Sequence, residues 1–426
     1  MKVIKRNGSV ENFDIKKITE ALYRVYRETG DRTKTKKLCK EQAKEISDKY
    51  FERNVDIDIE LIQDDVENYL MEKKEFDVAR AYIKYREKQK ADRENPWSDN
   101  DERQDIILGK YLIKGESKKE FLNRISFGNS KLEKIFRKRE GIWGGRNLYA
   151  IGREGNITGS NCYVATDPED SLEDIYRADY EIARTYSYGG GQGLNLSKIR
   201  PKGAKVNNSS NTTPGVMVFA EKYSHTTLNT QQENRRGALM LVMNIDHPDV
   251  IDFITSKLDL NKINGANISL AITDDFMKAY RADELWTMTF DTRHERIKKI
   301  VKARDLMSLI SYAAHTMGDP GVIFIDRMND YHLLSEYKDV KFTATNPCGE
   351  QPLMANGSCN LGSINFNAFV RDPFTDHAYF DFDRFERVVT EMIWGLDDLL
   401  TMLGDRHALP EQIEHVIDWR EIGLTY

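Results

Sequence analysis

A charged stretch at residues 88–104, KQKADRENPWSDNDERQ, interrupts the apolar periodicity of the chain and is broken by Pro96. Its few apolar side chains cannot hold it in a core, so it marks a boundary between two bodies. The expected division is a unit at residues 1–90, a linker at 91–105 and a larger unit at 106–426. A length of 426 residues is also more than one ordinary domain. In the first unit a strand from Lys2 to Lys5 turns at Arg6-Asn7-Gly8-Ser9 into a second run from Val10 to Phe13. Ile15, Ile18, Ala21, Leu22 and Val25 then fall at helical spacing. Further helical patterns run through Leu38, Ala43 and Ile46, through Ile59, Ile62, Val66 and Leu70, and through Val78, Ala81, Ile83 and Tyr85. This is a hairpin leading a small helical bundle. Beyond residue 106, apolar strands at 237–243 and 268–272 alternate with helical stretches at 171–186 and 303–317, which predicts an α/β architecture.

Hydrophobic residues make up 40% and charged residues 31%, the balance of a globular chain. A net charge of -6 gives no electrostatic basis for nucleic acid or an anionic membrane as the main partner. No run approaches the roughly 18 apolar residues of a membrane span. The opening MKVIKRNGSVENFD lacks the apolar core of a signal peptide, so a cytoplasmic protein is expected. Four cysteines are too few for a secreted disulfide scaffold. No pair has CxxC spacing and histidine is scarce, so no metal site is expected.

Four features carry candidate chemistry, each with a plainer reading beside it. Lys5 and Arg6 flank a glycine turn, with Glu11, Asp14 and Lys17 following. They form either a polyphosphate cradle or a solvated hairpin with ordinary surface charges. Gly189-Gly190-Gly191-Gln192-Gly193, followed by Arg200-Pro201-Lys202-Gly203, allows close approach of backbone to a ligand or another chain, or makes a tight structural turn. It is neither a Walker loop nor a dinucleotide fingerprint. Asn346-Pro347-Cys348-Gly349-Glu350 sets a thiol between a carboxamide and a carboxylate on a stiff loop. That group can hold and deprotonate a hydroxyl while the sulfur works between them; the competing reading is an exposed turn with an incidental cysteine. Cys162 and Cys359 sit in small, polar, turn-rich contexts. They are two unrelated core thiols, or, if they meet, a dithiol able to give up two electrons as a disulfide.

Five segments, in order, resemble the large subunit of ribonucleotide reductases: VIKRNGSVENFDIKKI, SNCYV, GGGQGLNLSKIRPKG, NPCGE and SCNLGSIN. The resemblance covers nearly the whole chain. It implies an N-terminal, mostly helical ATP-cone at 1–90, contacting nucleotide through Lys5, Arg6, Glu11, Asp14 and Lys17. It implies next the N-terminal part of a ten-stranded α/β barrel with a central finger loop. Cys348 would be the thiyl radical site, Glu350 the base for the ribose 3′-OH and Asn346 a hydrogen-bond partner of the ribose hydroxyls. Cys162 and Cys359 would be the reducing pair, Cys162 protonating the departing 2′-OH. Cys39 matches no role and is expected to be structural.

The substrate implied is a ribonucleoside di- or triphosphate, reduced for DNA synthesis. ATP or dATP and deoxynucleoside triphosphates would be effectors, and a thioredoxin-like protein the reductant. A homodimer would pack near residues 213–223. The radical would come from adenosylcobalamin, which the motifs favour, or from a dimetal partner subunit, with which an ATP-cone is more often found. The chain stops inside the family's barrel, so a companion chain supplying the second half is expected. A nucleotide-binding regulator that kept the cone and lost catalysis is the alternative; intact Asn346, Cys348 and Glu350 argue against it.

Overall fold

The structure is a computed structural model that describes residues 2–4, 10–30, 33–51, 56–94, 109–232, 235–337 and 340–425. It divides into two compact units. The first is Met1–Gly109 with Lys134–Glu140 and Asn365–Val389; the second is Lys110–Glu133, Gly141–Ile364 and Thr390–Tyr426.

In the first unit β1 (Lys2–Ile4) pairs antiparallel with β2 (Val10–Asn12) and parallel with β3 (Ile57–Asp58). Helices α1 (Ile15–Glu28), α2 (Lys36–Phe51), α3 (Ile59–Glu72) and α4 (Phe76–Glu94) accompany this small sheet. The Asp14 carboxylate starts α1 by accepting the Lys16 N–H at 2.9 Å. Leu22, Val25, Tyr26, Ala43, Ile46, Val66 and Leu70 form the core with buried Cys39.

Two expectations need correction here. Helix α4 continues to Glu94, into the stretch expected to be linker; residues 95–108 lie outside the described part. It buries Val78, as expected, together with Ala79 and Tyr82, while Ala81 packs partly against the core and Tyr85 of the expected stripe is exposed. The buried stripe continues at the next turn to Arg86, whose guanidinium meets Glu60, Asp64 and Glu67 of α3 at 2.6–2.8 Å. A search for apolar spacing skips an arginine and so selects the neighbouring face.

The second unit is built on an eight-stranded sheet. Its strands are β4 (Gly141–Trp143), β5 (Cys162–Val164), β6 (Gly191–Asn195), β7 (Leu239–Asn244) and β8 (Asn267–Ile272). A hairpin, β9 (Leu285–Asp291) with β10 (Arg296–Lys302), stands apart as a ribbon; β11 (Gly321–Phe324), β12 (Ser358–Ile364) and β13 (Ile422–Thr425) complete the sheet. The order is β11-β8-β7-β6-β5-β12-β13, with β4 on β12. Neighbours from β5 to β11 are parallel, β12 is antiparallel to β5, and β13 is parallel to β12. Strand direction therefore reverses at the β5–β12 seam, and again where β4 pairs antiparallel with β12. This mixed α/β half-barrel sheet agrees with the expected fold class.

Crossover helices connect the parallel strands: α5 (Leu172–Tyr188), α6 (Val216–Asn229), α7 (Val250–Thr255), α8 (Asp274–Ala282) and α9 (Ala303–Met317). Helix α5 outruns the expected 171–186 because its stop is Gly189, which takes φ 99° after the last turn. Strand alternation gives the sheet two faces. Leu239, Leu241 and Met243 of β7 and Ile268, Leu270 and Ile272 of β8 join the core that also holds α5 to α9 residues. Met240, Val242 and Ala271 instead pack with Cys162, Val164, Ala344, Leu353 and Cys359. The second face is where the candidate chemistry collects. No described helix is long and apolar enough to cross a membrane.

Candidate active site

The loop carrying Cys348 leaves and rejoins a two-residue ladder, Ala344 opposite Leu353 and Thr345 opposite Pro352. Between them the Gly349 N–H donates to the Asn346 carbonyl at 3.0 Å, and Gly349 takes φ 84°, a conformation open to glycine at little cost. The Asn346 carboxamide is fully buried. Its Nδ2 donates to Glu350 Oε1 at 2.6 Å and its Oδ1 accepts the Gln351 N–H at 3.0 Å. The side chain that resembles a ribose contact therefore also fixes the carboxylate beside it.

The loop lies close to the sheet because β6 lacks side chains where it passes. A Cβ on Gly193 would fall 1.9 Å from the Thr345 carbonyl oxygen, and one on Gly191 would fall 2.8 Å from Pro347 Cγ. The glycine-rich stretch was expected either to let backbone approach a ligand or another chain closely or to make a tight turn. Gly189 does end α5, but Gly191 to Gly193 belong to a fully buried strand. The close approach is made by the chain's own loop.

Carboxamides hold the loop's main chain at several points. Asn329 receives the Phe342 N–H and donates to the Phe342 carbonyl, both at 2.9 Å. Asn195 Nδ2 donates to Thr343 O at 2.9 Å, and Asn267 Nδ2 to Pro347 O at 3.0 Å. Sequence reasoning missed all three. Nothing local to Asn195, Asn267 or Asn329 distinguishes them from surface asparagines; only the tertiary fold does.

Three thiols meet beside this loop. Cys162 and Cys359 are directly opposed Cα partners across the seam. Opposed residues in an antiparallel pair lie at a Cα separation that a disulfide can span. Both are buried, whereas Cys348 is exposed. The neighbouring Cys348 thiol, burial and the nearby Cys359 together push the Cys162 pKa far up, with the Asn346 carboxamide acting the other way. Burial, with the Glu350 and Glu421 carboxylates nearby, pushes Cys359 up as well. At neutral pH the pair is held as protonated thiols, able to give protons as well as electrons. Glu350 is exposed on the same loop. The structure thus brings Asn346, Cys348, Glu350, Cys162 and Cys359 together, with the tip of the loop open to solvent on an open sheet.

Behind the seam lies a buried polar cluster that the sequence did not announce. The Tyr163 hydroxyl lies 2.6 Å from both Thr158 Oγ1 and His407 Nδ1. Ser160 and Ser358 hydroxyls pair across the seam at 3.0 Å. Thr185 Oγ1 accepts from Gln192 at 2.8 Å and from Gln412 at 3.0 Å.

The residues expected at a nucleotide cradle divide differently. Lys5 and Arg6 lie outside the described residues. Lys17 pairs with Glu11 at 2.8 Å, and Asp14 caps α1. A cavity of about 330 Å³ borders Lys17, with Lys16, Glu20, Arg24 and Tyr85 among its walls. Cys39 is buried in the helical core, as a structural residue would be. In the second unit a cavity of about 270 Å³ lies between the start of α5, at Asp170 and Ser171, and the segment from Arg200 to Pro214.

The thiol trio and the Asn346–Glu350 pair thus lie together in the second unit, beside its half-barrel sheet. Residues 160–426 match the family model described as ribonucleotide reductase, barrel domain, and residues 1–91 match the ATP cone domain. The chain belongs to the ribonucleotide reductase family. It is 30% identical to a vitamin B12-dependent ribonucleoside-diphosphate reductase of Thermoplasma acidophilum, with 99% of this chain and 65% of the relative covered. A protein of the same description from Mycobacterium tuberculosis is 31% identical, with 99% and 63% covered. A vitamin B12-dependent ribonucleotide reductase of Streptomyces coelicolor is 28% identical over 76% of this chain and 35% of its own length. The chain spans slightly less than two thirds of the Thermoplasma and Mycobacterium relatives. Each relative is one longer polypeptide, which gives no support to the expected separate companion chain.

Proposed function

We propose that this chain forms the catalytic part of a ribonucleotide reductase, which replaces the ribose 2′-OH by hydrogen to make deoxyribonucleotides for DNA synthesis. The observation that carries the reading is the thiol trio: Cys162 opposite Cys359 across the seam and under the influence of Cys348, beside the Asn346–Glu350 pair. The relatives' description favours a ribonucleoside diphosphate as substrate.

In this reading Cys348, as a thiyl radical, takes the hydrogen atom from C3′. Glu350 takes the 3′-OH proton, and Asn346, which holds Glu350, also hydrogen-bonds the ribose hydroxyls. Cys162 gives its proton to the 2′-OH, which leaves as water. Cys162 and Cys359 then deliver two electrons and the second proton, forming one S–S bond as C2′ gains hydrogen. Glu350 returns its proton to the 3′ oxygen, and Cys348 returns its hydrogen atom to C3′ and is a radical again. Burial of the pair suits this order, because a thiol with a raised pKa keeps its proton until the leaving hydroxyl needs it.

Adenosylcobalamin, which supplies a carbon-centred radical when bound, is favoured by the description of the relatives. The exposed Cys348 thiol fits it, being the one of the three site thiols that the described surface leaves reachable. No observation favours a dimetal partner subunit. ATP or dATP would bind the cone through Lys5, Arg6, Glu11, Asp14 and Lys17, with deoxynucleoside triphosphates as further effectors. A thioredoxin-like protein would re-reduce the pair, a second copy would complete a dimer, and a reducing cytoplasm would be the setting. A purely regulatory protein is not favoured, since the thiols and their supports are all in place.

The test is a reductase assay on the chain extended by the remaining third that its relatives possess, with and without adenosylcobalamin. Turnover should require the cofactor and should fall on the order of 10³-fold or more in Cys348→Ala. Reduction that survives this substitution would sink the assignment.

A further inference from the structure

The reactive sulfur of this site must reach two places, the sugar and the neighbourhood of Cys162, so its position matters more than its environment. The loop that carries it is exposed at Cys348 and Glu350. The main-chain carbonyl immediately before Cys348 does have a partner: Pro347 O accepts from Asn267 Nδ2 at 3.0 Å. Because a peptide unit is planar, fixing that oxygen also fixes the plane that contains the Cys348 nitrogen and Cα. The bond therefore acts one residue from the sulfur's own backbone.

Asn267 is itself anchored on both sides. It opens β8, paired with Met240 of β7. The carbonyl before it, Ala266 O, accepts from Lys257 Nζ at 2.5 Å, and the N–H after it, Ile268 N, donates to Asp319 Oδ1 at 3.3 Å. Lys257 and Asp319 are joined by an ion pair at 2.7 Å. A side chain rooted in this way can transmit the rigidity of the sheet to a loop that has little of its own. A carboxamide also suits a site of radical and proton chemistry, since it neither titrates nor readily oxidises.

We propose that Asn267 is a positioning residue for Cys348, setting the distance of its sulfur from Cys162 through the Pro347 carbonyl. The inference rests on the reductase reading for its purpose, but its geometry is testable without turnover. The probe is brief oxidation of the full chain by diamide, followed by peptide mass mapping of the disulfides. Each disulfide forms as two thiols lose two electrons and two protons, which reduce the N=N bond of diamide to a hydrazine. Cys162 is thereby partitioned between Cys348 and Cys359.

The unmodified chain should yield both products. Asn267→Ala, and Asn267→Asp, whose carboxylate cannot donate to a carbonyl, should lower the Cys162–Cys348 share roughly fivefold, the factor a neutral hydrogen bond is worth. Asn267→Gln, which keeps the N–H donor, should restore most of it. Because Asn267 is exposed at the start of its strand, the variants should keep the Tm of the unmodified chain. An unchanged partition in Asn267→Ala would overturn the proposal, as would a loss that Asn267→Gln does not reverse. Failure of the reductase reading would appear separately, as absent turnover with the disulfide partition still dependent on Asn267.

Discussion

Burial at position 407 lowers the imidazole pKa to about 4, with its Nδ1 against the Tyr163 hydroxyl. Tyr163 is next in the chain to Cys162, so an uncharged His407 helps seat the strand on which the reducing thiol lies. Between pH 6.5 and 4 the unfolded chain binds a proton at this histidine that the folded chain does not. Its contribution to stability is therefore complete above pH 6.5 and is lost as pH falls, by about 3 kcal/mol at the bottom of that window. Urea unfolding at pH 7 and pH 4.5 should show a smaller loss for His407→Gln than for the unmodified chain. Equal losses would mean that this imidazole is not the group responsible. At this scale the sequence was unevenly legible. Asn346, Cys348 and Glu350 fall within five consecutive residues, so their shared chemistry can be read from the chain. The opposition of Cys162 to Cys359 depends on a long-range strand pairing and entered only through family resemblance. The amides of Asn195, Asn267 and Asn329 carry no local mark at all.

Strand β6 shows how an element can be recruited by its neighbour. Glycine ordinarily weakens a strand, and a glycine inside one signals close approach of something else. Here that something is the loop main chain at Thr345. Gly193→Ala should destabilise the second unit by about 1–3 kcal/mol, the usual cost of overpacking, because the blocking atom is backbone and cannot swing aside. Gly191→Ala should cost less, since its closest neighbour is a proline ring carbon. Urea titrations of the two variants check the order, and a harmless Gly193→Ala would contradict the packing. Sequence periodicity located most elements well: α9 runs over the expected residues, and β8 begins within one residue of its expected start. It failed where the burying residue is charged, as at Arg86, or absent, as at Gly191 and Gly193. Neither an arginine nor a missing side chain registers as apolar.

Each unit of the molecule owns a separate hydrophobic core. Calorimetry should therefore resolve two unfolding transitions. If the cone binds ATP, a concentration of about 100 times Kd should stabilise the first unit by about 2.7 kcal/mol and leave the second unmoved. Lys17→Ala should reduce that shift, and a thermogram indifferent to ATP would count against the cone as a nucleotide switch. The reversal of strand direction between β5 and β12 has its own consequence for the molecule. A slip of one position in that pairing would turn Cys359 to the opposite side of the sheet, away from both other sulfurs. The polypeptide thus assembles its electron-donating pair only once long-range pairing is correct, and an immature or misregistered molecule lacks the paired dithiol.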